Sequence, residues 1–153
     1  METKKTVHII WIWGIWTSAL ARFYLSQWWN VHWSDKAKSP ITDALEKEGV
    51  LFFEGVHPEK IDTEIQKVVY TEAIIQHHDM DVKKVENPEF QKARELGIET
   101  RSYPEALGEI VASFSHSIAI AGTHGKSTTA SMMWIALKDS GLAGCTIVGT
   151  LLK

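Results

Sequence analysis

From Thr6 onward, short apolar runs take turns with longer segments whose apolar residues recur every three or four positions. The short runs have the length and composition of strands, and the longer period is that of helices. A strand can return parallel to its predecessor only through a crossover, and here each crossover is long enough to hold a helix. That alternation commits the chain to an α/β fold, a mainly parallel sheet with helices on both faces. The spacing predicts strands over 6–12, 30–33, 51–54, 67–71 and 98–101. Leu20, Phe23, Tyr24 and Gln27 mark one face of the first helix, and Ser39 and Pro40 give an N-cap and first-turn proline to a second that ends at Gly49. Asn87 and Pro88 open a third that runs to Gly97. Ser102 and Glu105 have capping-box spacing ahead of Ala106, Leu107, Ile110 and Val111.

Near the C-terminus the pattern carries chemistry. Ile118 to Ala121 is apolar enough for a buried strand, and Ala130, Met133, Trp134 and Leu137 recur at helical spacing. Between them stands Gly122-Thr123-His124-Gly125-Lys126-Ser127-Thr128. At a strand-to-helix junction, glycines take backbone angles closed to other residues, and their N–H groups with the helix N-terminus behind them can surround phosphate oxygens. In such a loop Lys126 reaches the terminal phosphates and is the catalytic candidate, while the Ser127 hydroxyl ligates Mg²⁺. The spacing is not that of the general phosphate loop, because only Thr123 and His124 separate the two glycines where that pattern has four residues. The expectation is a site for ATP and Mg²⁺ formed by residues 122–128, with a further strand at Ile147 and Val148. Ser113 to Ser117 reads as a hinge. We therefore expect one domain over 1–114 and the start of a second over 115–153, too short to bury a core of its own.

Composition narrows the class. With 44% hydrophobic and 23% charged residues in 153, the chain has the makeup of an ordinary soluble globular protein. A net charge of -3 and the lack of a basic stripe interleaved with aromatics argue against nucleic acid and anionic lipid as partners. No run reaches the roughly 18 apolar residues that span a bilayer. Lys4 and Lys5 ahead of Ile9 to Trp16, with Ala19-Leu20-Ala21 behind, imitate a secretory signal. His8 interrupts that approach, the same stretch is explained as strand, turn and helix, and an ATP site makes little sense outside the cell, so a cytoplasmic chain is expected. The single Cys145 lies in an apolar run and is expected to be a buried thiol in a reducing compartment. Gln76 to Lys84 contains His77, His78, Asp79 and Asp81 but no period, and reads as a solvated loop without a metal.

The first strand-to-helix turn reads Ile10-Trp11-Ile12-Trp13-Gly14-Ile15-Trp16-Thr17-Ser18-Ala19-Leu20-Ala21-Arg22-Phe23. Together with Ser34-Asp35, the Gly49 region, Asn87-Pro88-Glu89 and Ala121-Gly122-Thr123-His124-Gly125-Lys126, it makes nearly the whole chain resemble the N-terminal third of the Mur ligases, in the branch that joins L-alanine to UDP-N-acetylmuramate. Histidine in the Gly-Thr-His-Gly-Lys loop is shared by that branch and its murein-peptide recycling relative. The stretch Ile15 to Ala21 favours the former. The resemblance implies an ATP-dependent, cytoplasmic ligase of peptidoglycan synthesis, with a Rossmann-like domain for the UDP-sugar followed by the first strand, phosphate loop, helix and strand of a central ATPase domain. It implies UDP-sugar contacts from Gly14, Ile15, Trp16, Thr17, Ser18, Ser34 and Asp35. In that family the muramate carboxylate attacks the γ-phosphate of ATP, and the amine of L-alanine then displaces phosphate from the acyl phosphate. Thr123, His124 and Thr128 would line the phosphate loop, with His124 either catalytic or an orienting residue.

Two departures stand beside the match. The family's first loop is a Gly-x-Gly-Gly-x-Gly turn, and its glycines fall here on Trp11, Trp13, Gly14 and Trp16, while Trp28 or Trp29 and Trp33 also occupy common glycine positions. An indole fills the space in which backbone N–H groups meet a diphosphate, and it resists any position needing positive φ. Either some of these are UGA codons, which certain lineages read as glycine and a common alternative code reads as tryptophan, or they are core aromatics, as Trp134 is expected to be. The second departure is length. The downstream metal ligands, adenine pocket and amino-acid site of the family are not in this sequence, so the chain alone is expected not to ligate. A noncatalytic nucleotide or UDP-sugar module, and an unrelated small phosphate-loop ATPase, are the competing readings.

Overall fold

The structure is a computed structural model that describes residues 4–10, 15–71, 74, 85–141 and 144–148, with Ile15 and Trp16 as backbone only. Five strands, β1 (Thr6–Ile10), β2 (Asn30–Asp35), β3 (Leu51–Glu54), β4 (Lys67–Tyr70) and β5 (Glu99–Ser102), form one sheet in the order β3-β2-β1-β4-β5. All four pairings are parallel. The helices are α1 (Ile15–Ser26), α2 (Pro40–Glu48), α3 (Pro88–Glu95), α4 (Tyr103–Ala112) and α5 (Lys126–Asp139), with a 3₁₀ turn at Pro58–Lys60.

Side-chain alternation along the strands divides the core into two layers. Val7 and Ile9 of β1, Val31 and Trp33 of β2 and Val69 of β4 pack with Leu20 and Tyr24 of α1, Leu45 of α2 and Ala106 and Ile110 of α4. On the other face Ile10, Val68 and Tyr70 meet Phe90 and Ala93 of α3. Helices therefore cover both faces, which is why central β1 is buried along its whole length. Each buried Leu, Ile or Phe contributes roughly 1.5–3 kcal/mol.

The helix starts follow the sequence. Ser39 accepts the Thr42 N–H while Thr42 reaches back to the Ser39 backbone, Ser102 and Glu105 exchange the same pair of bonds, and Asn87 accepts from the N–H groups of Glu89 and Phe90.

Other expectations need correction. Gln27 lies beyond the end of α1 and is exposed. Ile118 to Ala121 is irregular and Ile118 is exposed, because no strand among the described residues runs beside it to take up its N–H and C=O groups. Residues 144–148 are irregular as well, and Cys145 is exposed rather than buried. The expected strand residues 11 and 12 and the loop 76–84 fall outside the described residues. No described helix is long and apolar enough to cross a membrane.

Candidate functional site

In this strand order the chain leaves β1 toward β2 on one side and later returns to β4 on the other. A crevice opens where such crossovers diverge, outside the carboxyl ends of the strands. Most of the expected UDP-sugar residues gather at that edge. Gly14 is outside the described residues, and Ile15 and Trp16 form the first turn of α1. Thr17 and Ser18 follow on the same turn with buried side chains. Ser34 and Asp35 end β2 beside them. The Asp35 carbonyl accepts the Gly55 N–H at 2.7 Å, and its Oδ1 accepts the Lys36 N–H at 2.7 Å, so its half-exposed carboxylate is held at the lip of the sheet.

Ser34 faces the opposite way. Its hydroxyl donates to Glu89 Oε2 at 2.7 Å, inside the layer between the sheet and α3. The other oxygen of Glu89 accepts the His57 N–H at 3.0 Å and lies 3.6 Å from His8 Nε2, an ion-pair contact rather than a hydrogen bond. His8, Ser34 and Glu89 are all sealed from solvent. Burial alone pushes the Glu89 carboxyl up. His8, the Ser34 hydroxyl and the His57 N–H together outweigh it and leave the group below the usual carboxylate range. Across β2, burial and then the proximity of His8 lower the pKa of His32. Neither Glu89 nor His8 stands out in the sequence as a functional residue. A carboxylate in the first turn of a helix reads as an exposed complement to the helix dipole, and only its place in Asn87-Pro88-Glu89 marked it.

The residues expected to form a phosphate loop also come together. Gly122 and Gly125 take φ of 153° and 77°, and Gly125 is the N-cap of α5. The first helical bond runs from the Thr129 N–H to the Gly125 carbonyl at 2.9 Å, so the N–H groups of Lys126, Ser127 and Thr128 precede the helical ladder and point out of its end. Lys126 Nζ folds back to donate to the carbonyls of Gly122 at 2.5 Å and Thr123 at 3.3 Å. Thr123, His124 and Thr128 are exposed around it, and Ser127 is half-buried. The expected apolar stripe Ala130, Met133, Trp134 and Leu137 is the half-buried face of α5, yet no described side chain of that helix is fully buried.

The chain is similar to known proteins along most of its length. The profile described as Mur ligase family, catalytic domain, matches residues 6–115. UDP-N-acetylmuramate–L-alanine ligase of Acetivibrio thermocellus is 41% identical over 138 residues, covering 90% of this chain and 27% of its own length. The protein of the same name from Campylobacter jejuni is 40% identical over 149 residues, 97% of this chain and 31% of its own. Among solved structures, the UDP-N-acetylmuramate:L-alanyl-gamma-D-glutamyl-meso-diaminopimelate ligase of Neisseria meningitides superimposes with a TM-score of 0.78 at 27% identity, over 97% of this chain and 44% of that one. A murein peptide ligase from Psychrobacter arcticus gives 0.72 at 30% identity, over 90% of this chain and 27% of that one. The chain thus spans about three-tenths of the length of the curated relatives it matches. With a family profile covering the five-stranded sheet from β1 to α4 and close relatives along nearly the whole chain, this protein belongs to the Mur ligase family.

Proposed function

We propose that the chain is the N-terminal part of an ATP-dependent ligase that joins L-alanine to UDP-N-acetylmuramate in cytoplasmic peptidoglycan synthesis. The observation that carries this reading is the pairing of a topological switch point, with the α1 first turn after β1 and Asp35 at the end of β2, with a glycine loop whose free N–H groups open α5. Identity favours the L-alanine ligases, at 40–41%, over the two murein-peptide ligase structures, at 27% and 30%. We assign 1–114 to UDP-sugar binding and 115–153 to the beginning of the ATP domain. Support for that division is the completion of the sheet's helices at Ala112 and the absence of any buried side chain on α5.

The loop residues fit a polyphosphate. Gly125 has open space where a Cβ would stand, and the α5 N–H groups and the Lys126 ammonium offer donors and positive charge without an acidic side chain among residues 122–129. ATP held there supplies the transferable phosphoryl group. Lys126 exchanges its contacts with the Gly122 and Thr123 carbonyls for phosphate oxygens and offsets charge on the group in transfer. The backbone N–H groups of 126–128 fix its position, while Thr123, His124 and Thr128 border it. Ser127 offers one hydroxyl to Mg²⁺, and among the described residues no cluster of His, Cys, Asp and Glu supplies further ligands. The part played by this chain is positional and electrostatic.

L-alanine-dependent phosphate release from ATP and UDP-N-acetylmuramate by the natural full-length protein tests the assignment. Release with L-alanine but not with a murein tripeptide supports it. Binding of the UDP-sugar without release favours the noncatalytic module instead. Calorimetry of this chain adds a second arm: restoring glycine at 11, 13 and 16 should bring UDP-N-acetylmuramate binding that the tryptophan form lacks.

A further inference from the structure

Three helices of the sheet domain end in the same way. At the end of α2 the Gly49 N–H donates to the Glu46 carbonyl at 3.1 Å and the Val50 N–H to the Leu45 carbonyl at 2.9 Å. At the end of α3 the Gly97 N–H donates to Arg94 at 3.1 Å and the Ile98 N–H to Ala93 at 2.9 Å. At the end of α1 the Trp28 N–H donates to Leu25 at 3.0 Å and the Trp29 N–H to Tyr24 at 3.1 Å. These are three copies of one motif, in which a residue in left-handed conformation stops the helix and an apolar residue after it folds back onto the last turn.

The left-handed position is Gly49 at φ 106° in one copy and Gly97 at 69° in the next. In the third it is Trp28 at 63°, the one non-glycine residue with positive φ among the described residues. A Cβ crowds the following carbonyl in that conformation, and a bulky side chain there is an outlier with no local hydrogen bond to compensate. Trp28 gains little by packing, since it is 76% exposed and Lys4 Nζ lies 5.4 Å from its ring centroid in water-screened surroundings. Its neighbour behaves differently. Trp29 fills the apolar position held by Val50 and Ile98 in the other copies, packed against the core with its ring 5.2 Å from that of Tyr24. Trp33 carries an independent misfit. Its side chain is buried in the core, yet its indole Nε1–H finds no hydrogen-bond partner among the described residues, whereas a buried indole ordinarily has one.

We infer that the natural polypeptide carries glycine at 28 and 33 and tryptophan at 29. The two misfit codons are UGA read as glycine, and codon 29 is UGG. This assignment stands on helix ends and core chemistry, and it holds whichever ligand the domain binds.

The deciding experiment is tandem mass spectrometry of the protein purified from its natural source. Trypsin cuts after Arg22 and Lys36, so a single peptide, 23–36, contains all three positions. Glycine at 28 and 33 with tryptophan at 29 is the expected result. Tryptophan at 28 or at 33 overturns the assignment, as does glycine at 29. A stability comparison of the recombinant chain gives an independent check at the helix end. Trp28→Gly should raise the Tm by about 2–8 °C, since relief of roughly one unit of backbone strain shifts a domain of this size by that much, and Trp29→Gly should lower it. A fall in Tm on Trp28→Gly counts against the inference at that position.

Discussion

Ser34 donates its hydroxyl to Glu89 across 2.7 Å in a layer that neither side chain leaves, tying the end of β2 to the first turn of α3. Because Ser34 is adjacent to Asp35 at the lip of the crevice, the buried bond fixes the direction in which the strand presents that carboxylate. Removing Glu89 leaves the Ser34 hydroxyl and the His57 N–H without their acceptor in a dry interior. We expect Glu89→Ala to cost about 3 kcal/mol or more in urea denaturation, and Glu89→Gln, which keeps one acceptor oxygen, to cost less. Equal losses would show that the complete carboxylate, rather than the shape of the side chain or a single acceptor oxygen, is what the site needs.

The same cluster sets a pH dependence. Glu89 has a lowered folded pKa, so its contribution is fully present above the ordinary carboxylate value of about 4.3 and fades as pH falls through the lower folded value. His32 is also lowered, by burial first. Its neutral ring suits the fold, and stability is lost as pH drops below the unfolded value of about 6.5. The exposed His57 works in the opposite direction. Its pKa is raised, by its bond to the Glu54 carbonyl first and then by Glu59, so its small contribution is present below about 6.5 and disappears as pH rises through the folded value. Urea midpoints should fall in two steps on acidification, the first below about pH 6.5. His32→Gln should remove the first step and leave the second.

Carboxylates elsewhere on the sheet should matter much less. Glu109 accepts from Lys67 Nζ at 2.5 Å and from Arg101 Nε, a pairing that looks strong on distance alone. Arg101 and Glu109 side chains are 37% and 38% exposed, however, and water screens what they gain. Glu109→Gln is expected to cost under about 1 kcal/mol, and that cost should shrink further in 1 M salt. A loss that persists at high salt would mean that the pair is effectively buried.

The contrast between these carboxylates explains what could be read in the chain beforehand. Period and capping residues are local, so the strands, Ser39, Asn87 and the Ser102–Glu105 box are visible in order along the sequence. The strand expected at 118–121 does not form, because apolar composition qualifies a segment for a ladder but cannot supply the neighbour. Glu89 is hidden for a related reason. Ser34, His8 and His57 lie 55, 81 and 32 positions away from it, and only the parallel packing of β1 and β2 against α3 brings them to one carboxylate. The turn from Gly122 to Lys126 and the start of α5 were legible because their glycines, lysine and helix start are contiguous.

That loop provides the last test. Lys126 Nζ is occupied by the carbonyls of Gly122 and Thr123, so the ammonium holds the turn together until an anion competes for it. Lys126→Ala should therefore act twice, loosening the turn and removing the charge that a polyphosphate meets. A charge-assisted contact contributes about 1.5–3 kcal/mol, which is roughly 10- to 150-fold in Kd for inorganic triphosphate measured by calorimetry. Gly125→Ala isolates the backbone term. No atom lies within 4 Å of the added Cβ, yet φ is 77°, so the substitution strains the turn without blocking it. It should weaken triphosphate binding by about tenfold or less and leave the salt dependence intact, since Lys126 is still present. Lys126→Ala should flatten that salt dependence. Equal binding by both variants and the parent chain would mean that the anion sits elsewhere.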